Sequence, residues 1–241
     1  MPRDPHQGSD SAPQILGRSV AFFCTNLPVI AAVTLAAMIP GNLLVQGLCY
    51  LVDVPVEGIL SYVLLEIGDL IFSALASAAV IYLVARKLRT GRMPGIAESL
   101  RRGSRIWVPM LWNQFQVEVT VGLWALLIFI PGIMAAVRLF LVQPVVALEP
   151  ETAQPLRRSE ELTRGARWRV FFIALPLVSV DLVGNIVVLG ALPGAGHSRP
   201  LLALTDSALA VVGQLTTVAA VLIYLGRVPA VTANRARGNR A

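Results

Sequence analysis

Six ionisable side chains interrupt stretches of this sequence that are otherwise apolar: Glu66, Asp69, Glu118, Arg138, Asp181 and Asp206. A charged group at the centre of a membrane costs about 3 kcal/mol on insertion scales, so such residues are candidates for a functional site. We expect Asp69, Glu118 and Asp181 near mid-depth, where carboxylates could bind a cation or carry a proton. Alternatively, the acids are protonated or hydrogen-bonded and hold helices together.

Arg138 is the single basic residue in the apolar run "IPGIMAAVRLFLVQPVVALE" at 130–149. Seven helical residues separate it from Pro131, which places it about 10 Å below the outer membrane surface. We therefore expect Arg138 to face other helices and to pair with an acid. Asp206 is the first choice of partner and Glu66 the second. A buried pair of this kind can fix the register of the helices.

The composition predicts that this protein resides in a lipid membrane. Of the 241 residues, 56% are hydrophobic and 14% are charged, against about 25% charged in an ordinary soluble domain. The net charge of +6 comes from short basic clusters between apolar runs, which is typical of membrane loops and argues against nucleic-acid binding. The two cysteines and two histidines show no ligand spacing, so we expect no metal and no cofactor.

The lengths of the apolar runs predict an all-α, polytopic membrane protein with six transmembrane helices. A span needs about 20 apolar residues, and the spans are expected at about 28–50, 58–85, 107–130, 132–148, 170–192 and 201–226. We interpret residues 12–26 as an interfacial helix that Asn26-Leu27-Pro28 separates from the first span. A short hairpin over 19–52 is the alternative. Pro131-Gly132 is expected to supply the turn between spans three and four.

The distribution of basic residues predicts the orientation. Arginines and the one lysine concentrate in 86–105, in 149–169 and after 226, and basic loops face the cytoplasm, so both termini are expected there. The acidic and proline residues before the first apolar run do not suit a cleavable signal. The predicted organisation is a disordered tail at 1–14, a six-span domain at 15–228 and a basic cytoplasmic tail at 229–241.

A repeat divides the six spans into three units. "LRRGSRIWV" at 100–108 and "LTRGARWRV" at 162–170 each precede a pair of spans, and "ILGRSVAFF" at 15–23 is a looser copy. Each unit is expected to be a short amphipathic helix followed by a transmembrane hairpin. Such helices lie at the membrane surface with arginine towards anionic headgroups. They could bind lipid or a partner protein, or they could only anchor the loops.

Residues 130–175 resemble a family of bacterial multi-span proteins, similar to the membrane region attached to some glycerophosphoryl diester phosphodiesterases. The matching residues are Pro131, Gly132, Arg138, Pro144, Glu149, Leu156, Ser159, Leu162, Thr163, Arg164 and Gly165. "PETAQ" at 150–154 makes the link slightly longer than in the family pattern. The resemblance implies a six-span protein of the bacterial inner membrane. The diesterase barrel is a separate domain of about 250 residues, so diesterase activity is not expected.

The motifs that are missing favour a non-enzymatic function. The sequence contains no phosphate-binding GxxxxGK[ST] loop, no HExxH helix and no GxSxG turn. We expect a scaffold or accessory subunit that binds lipid or a partner protein. The alternative is a small transporter or channel that uses the intramembrane acids, and an enzyme acting on lipid phosphate is a third hypothesis.

Overall fold

The computed structural model describes residues 11–53, 59–127, 129–191 and 199–238. Within these ranges the chain is all-helical and contains no strand. The helices are α1 (Ala12–Leu51), α2 (Ile59–Thr90), α3 (Ile96–Leu127), α4 (Phe129–Leu139), α5 (Val142–Leu148), α6 (Pro155–Thr163), α7 (Arg167–Ala191) and α8 (Arg199–Gly238). The predicted tail at 1–14 lies largely outside the described residues, although α1 already begins at Ala12. The predicted basic tail is helical as far as Gly238, because α8 continues to that residue.

Four helical segments are long and apolar enough to cross a membrane. They are Ala12–Leu51, Val63–Thr90, Ile130–Leu148 and Ala203–Val228. This result confirms the all-helical, membrane-compatible character expected from the composition. The count of six spans stays a prediction.

The expected break before the first span is wrong. Helix α1 runs without interruption through Pro28 and Pro40. A proline removes one backbone hydrogen bond, whereas ending a helix within a membrane exposes several polar groups to lipid. At 40 residues and about 1.5 Å per residue, α1 is about 60 Å long, twice the thickness of a hydrocarbon core.

The turn between α3 and α4 lies earlier than expected. Helix α3 ends at Leu127 and α4 begins at Phe129, so Pro131 and Gly132 belong to the first turn of α4. Gly132 permits close packing: a Cβ atom at this position would lie only 2.7 Å from the Cα atom of Ala125 in α3. The glycine is therefore explained by the contact between the two helices.

The two copies of the repeat adopt different structures. Gly103 lies inside the continuous helix α3, where an added Cβ would approach the backbone nitrogen of Ala79 to 3.0 Å. Gly165 lies in the turn between α6 and α7 and has a φ of +79°, a conformation that favours glycine. A separate amphipathic helix is consequently present in the third unit, whereas α1 and α3 each merge the predicted surface helix with the following span.

The helices form an antiparallel arrangement whose most extensive contact joins α1 to α8. Ile15 and Leu16 pack in the same cluster as Tyr224, whereas Met38 packs near Ala210. Small residues of α2, including Ala74 and Ala78, are completely buried. Small residues at a helix contact let the two backbones approach closely.

The bundle has two chemically distinct ends. We call the end formed by residues 86–105 and 155–169 the basic end. Helix α8 reaches it near Tyr224, which experiences the charge of Arg89 and bonds to Glu149. We call the opposite end, which contains Glu66, Glu118 and Asp206, the acidic end.

Candidate functional site

A break in the fourth predicted span is the main irregularity of the bundle. Helix α4 ends at Leu139 and α5 begins at Val142, which leaves the carbonyl of Arg138 and the amide of Leu141 without helical partners. The Ser159 hydroxyl of α6 bonds to both groups. It donates to the Arg138 carbonyl over 2.8 Å and accepts from the Leu141 amide over 3.2 Å.

Helix α6 packs against this break with its apolar face, which contains Ser159 and Leu162. Ser159, Leu162 and Thr163 are completely buried, while Arg157 and Arg164 are exposed on the other side. The Thr163 hydroxyl lies 3.4 Å from the same Arg138 carbonyl. This apolar face of α6 is therefore a packing surface against other helices of the chain.

A half-buried carboxylate organises the loop that precedes α6. Glu149 accepts hydrogen bonds from Arg158 Nε at 3.0 Å, from the Tyr224 hydroxyl at 2.8 Å and from the Thr152 hydroxyl at 3.2 Å. Burial alone would raise the pKa of Glu149, but the bonds from Arg158 and Tyr224 outweigh it and lower the pKa. This network ties α5, α6 and α8 together at the basic end.

Two further arginines connect helices at the basic end. Arg227 of α8 donates from Nε to the Leu162 carbonyl at 3.0 Å and from Nη2 to the Arg164 carbonyl at 2.7 Å. Arg86 of α2 forms an ion pair with Glu98 of α3. The carboxylates of Glu98 and Glu149 are thus both occupied by arginines within the bundle.

Seven arginines at the basic end are exposed, in contrast to these paired ones. They are Arg89, Arg92, Arg101, Arg102, Arg105, Arg157 and Arg164. They extend from the end of α2 across the start of α3 to α6. This arginine surface carries a concentrated positive charge that suits anionic groups.

Glu66 lies close enough to two other predicted site acids at the acidic end to influence them by its charge, and Glu66 and Glu118 are exposed. The charge of Glu66 acts on both Glu118 and Asp206. Asp69 lies one turn after Glu66 and is exposed. Asp181 belongs to α7, but its side chain lies outside the described part of the structure.

Amide side chains extend inwards from Glu118. Gln114 donates to Glu118 Oε1 and to Ser73 Oγ, both at 3.2 Å, and Gln143 Nε2 lies 3.5 Å from Gln114 Oε1. Gln143 belongs to the first turn of α5, beside the break. The described residues include no group of three His, Cys, Asp or Glu side chains that could hold a metal ion.

The predicted pairing of Arg138 with Asp206 is wrong. The backbone of Arg138 lies against Ser159 of α6, beside the network that includes Tyr224. Asp206 lies 18 positions before Tyr224 in α8, which corresponds to about 27 Å. Glu66 is also at the acidic end, so it is not the partner either. Within the described ranges, Arg138 Nε is buried and has no hydrogen-bond partner.

Sequence reasoning did not identify the role of Ser159. Its position on the apolar stripe with Leu156 and Leu162 was the available signal, because a small hydroxyl residue on a buried face needs a polar partner. The bond between Glu149 and Tyr224 joins residues 75 positions apart. That bond depends on which helices are neighbours, so no local pattern predicts it.

No protein-family model matches this chain, and no curated protein or solved structure gives a significant match. The resemblance of residues 130–175 to the diesterase-associated membrane region therefore stays a prediction.

Proposed function

We propose that this protein is a non-enzymatic scaffold or accessory subunit of the bacterial inner membrane, with six spans and both termini in the cytoplasm. In this proposal the basic end is cytoplasmic and binds anionic lipid headgroups or an acidic surface of a partner protein. The observation that carries the proposal is the arginine surface. Its arginines are exposed, whereas Glu98 and Glu149 are already paired with Arg86 and Arg158.

The charge of this surface supports binding at the headgroup level. Each Arg or Lys close to an anionic membrane surface contributes about 1 kcal/mol. Several exposed arginines on one end can therefore hold anionic headgroups without any deep pocket. The fixed contacts of Ser159, Glu149 and Arg227 support the same function, because they hold α6 and its arginines in a defined position.

Adjacent arginines provide a matched test of this proposal. Arg157 is exposed, while the side chain of Arg158 is only 11% exposed and is bonded to Glu149. We expect Arg157→Gln to weaken the binding of phosphatidylglycerol about fivefold, the equivalent of about 1 kcal/mol, without lowering the melting temperature. Arg158→Gln removes the same charge, and we expect it to lower the melting temperature while the folded protein keeps its lipid binding.

Native mass spectrometry of the purified protein with phosphatidylglycerol or phosphatidylcholine measures the lipid binding. Affinity purification from native membranes measures any partner protein that copurifies. If Arg157→Gln and Arg164→Gln together leave both phosphatidylglycerol retention and copurifying proteins unchanged, the proposal is wrong.

The acidic end favours a second candidate function, which is transport of a cation or proton. Glu66, Glu118 and Asp206 share one electrostatic environment, and Gln114 and Gln143 continue it towards the interior. In proteoliposomes, we expect Glu118→Gln to abolish a flux of protons, Na⁺ or K⁺ at an unchanged melting temperature. Glu151→Gln, which neutralises an exposed acid after α5, is the matched control. A wild-type protein that moves none of these ions excludes this candidate.

A further inference from the structure

Two arginines of the basic end lie against a single aromatic ring. Arg86 of α2 and Arg102 of α3 place their guanidinium carbons 5.8 and 6.0 Å from the centre of the Tyr82 ring. Distances of this size permit attraction between a cation and an aromatic face. The ring therefore holds two positive charges close together, although like charges repel each other.

One carboxylate lies beside this pair of arginines. Glu98 accepts a hydrogen bond from the Tyr82 hydroxyl at 2.8 Å and forms an ion pair with Arg86. The charge of Arg101 also acts on this carboxylate. The group that we call the Tyr82 cluster consists of Tyr82, Arg86, Glu98, Arg101 and Arg102. Its three arginines face one acid, so two positive charges have no counter-charge within the cluster.

Close packing of α2 and α3 positions the Tyr82 cluster. Gly103 adjoins Arg102, and a Cβ atom added at Gly103 would lie only 3.0 Å from the backbone nitrogen of Ala79. Ala79 precedes Tyr82 by about one helical turn in α2. Because the glycine lets the two backbones approach closely, the Arg102 side chain can reach the Tyr82 ring across the contact between the helices.

The arginines of the cluster keep hydrogen-bond donors for a ligand. Arg101 and Arg102 are exposed, and within the described ranges neither side chain forms a hydrogen bond or an ion pair. Arg86 bonds to Tyr82 and Glu98 through Nη1, which leaves its Nε and Nη2 groups. A guanidinium carries five N–H donors in a planar fork that suits the oxygens of a phosphate group.

We propose that the Tyr82 cluster binds a phosphate monoester. Such a group carries a charge of about −1.5 to −2 at neutral pH, which matches the two positive charges in excess, whereas a phosphodiester carries a single negative charge. Its oxygens accept hydrogen bonds from Arg86, Arg101 and Arg102. This inference rests on the proposed function, because it names the chemical group that part of the arginine surface selects. The lipid that presents a phosphate monoester at headgroup level is phosphatidic acid.

Native mass spectrometry of the full-length protein tests this site, with phosphatidic acid and phosphatidylglycerol of identical acyl chains. We expect the wild type to retain phosphatidic acid about fivefold more strongly, which is the effect of about one additional charge interaction at headgroup level. Arg102→Gln should abolish this preference, and Arg101→Gln should reduce it. Both side chains are exposed, so we expect both variants to fold, with little change in melting temperature.

Arg92→Gln is the matched control. Arg92 belongs to the same arginine surface and is exposed, but its side chain contacts neither Tyr82 nor Glu98 in the described part of the chain. Its replacement removes the same charge from the basic end. We therefore expect Arg92→Gln to weaken the retention of both lipids alike and to keep their ratio at the wild-type value.

The ratio of the two lipids distinguishes failure of this site from failure of the proposed function. If the wild type retains both lipids equally, or if Arg92→Gln and Arg102→Gln change the ratio alike, the site is wrong and the arginine surface still binds anionic headgroups. If the wild type retains neither lipid, the site is wrong and so is lipid binding by the arginine surface.

Competition with inorganic phosphate identifies the source of the bound group. The wild type loaded with phosphatidic acid is exposed to phosphate or to chloride at equal ionic strength, because salt alone weakens exposed charge interactions. Lipid that is retained equally in both salts assigns the site to phosphatidic acid. Lipid that only phosphate displaces, with no such difference in Arg102→Gln, shows that the site also accepts a soluble phosphate group. Both results support the site.

Discussion

Replacement of Ser159 by alanine is expected to destabilise the protein by about 2–3 kcal/mol. It leaves the buried Leu141 amide without a partner, and the Arg138 carbonyl keeps only the longer bond from Thr163. The hydroxyl serves both the Arg138 carbonyl and the Leu141 amide at the break between α4 and α5. Alanine removes both bonds without adding volume. The free energy of unfolding in mixed micelles, measured by titration with a denaturing detergent, gives the effect.

Ser104→Ala is the matched control for this change. Ser104 is exposed, and its hydroxyl bonds only within its own helix, to the Arg101 carbonyl at 3.0 Å. We expect its replacement to change the free energy of unfolding by less than about 0.5 kcal/mol. If the two alanine variants unfold alike, α6 does not stabilise the helix break.

Replacement of Glu149 by glutamine is expected to cost about 2–3 kcal/mol at neutral pH, since hydrogen bonds to charged groups are the stronger ones. Glutamine has one acceptor oxygen where the carboxylate serves Arg158, Tyr224 and Thr152. It also leaves the guanidinium of Arg158 without its charged partner at that position. Glu151→Gln, at an exposed site two residues later, is expected to have little effect.

We expect the destabilisation caused by Glu149→Gln to depend on pH, and the direction of the pKa shift of Glu149 determines how it changes. The pKa of Glu149 is lowered in the folded protein from its ordinary value of 4.5. A lowered pKa stabilises the folded state above the unfolded pKa, and the stabilisation is lost as the pH falls through the folded pKa. The difference in melting temperature between wild type and Glu149→Gln should therefore be constant near neutral pH and shrink below about pH 4.5. A difference that grows on acidification would contradict the assignment.

The sequence predicts the helices better than their contacts. Runs of about 20 apolar residues identify membrane-crossing helices because lipid requires them, and four such segments are present. The break at Pro28 was predicted from local propensity, which the continuous α1 overrides. The break after Leu139 was not predicted, because it depends on Ser159 from a different helix.

The residues of the candidate sites could also be predicted from the sequence more readily than their contacts. The acids of the acidic end are visible in the sequence because charges are rare in apolar runs, and the charge of Glu66 acts on both Glu118 and Asp206. The partner of Arg138 was predicted from its depth along one helix. Pro131 and Arg138 do lie in one helix, but depth along α4 does not reveal which helices are its neighbours, and the Arg138 carbonyl lies against Ser159 of α6.

The contact between α1 and α8 has a consequence for biosynthesis. It joins the first and the last described helices, so it cannot form until the ribosome has synthesised α8. Before that time, the Asn42 side chain lacks its partner Ser207 and must bond to another group. The contact between α1 and α8 therefore forms after the other described helices have been synthesised.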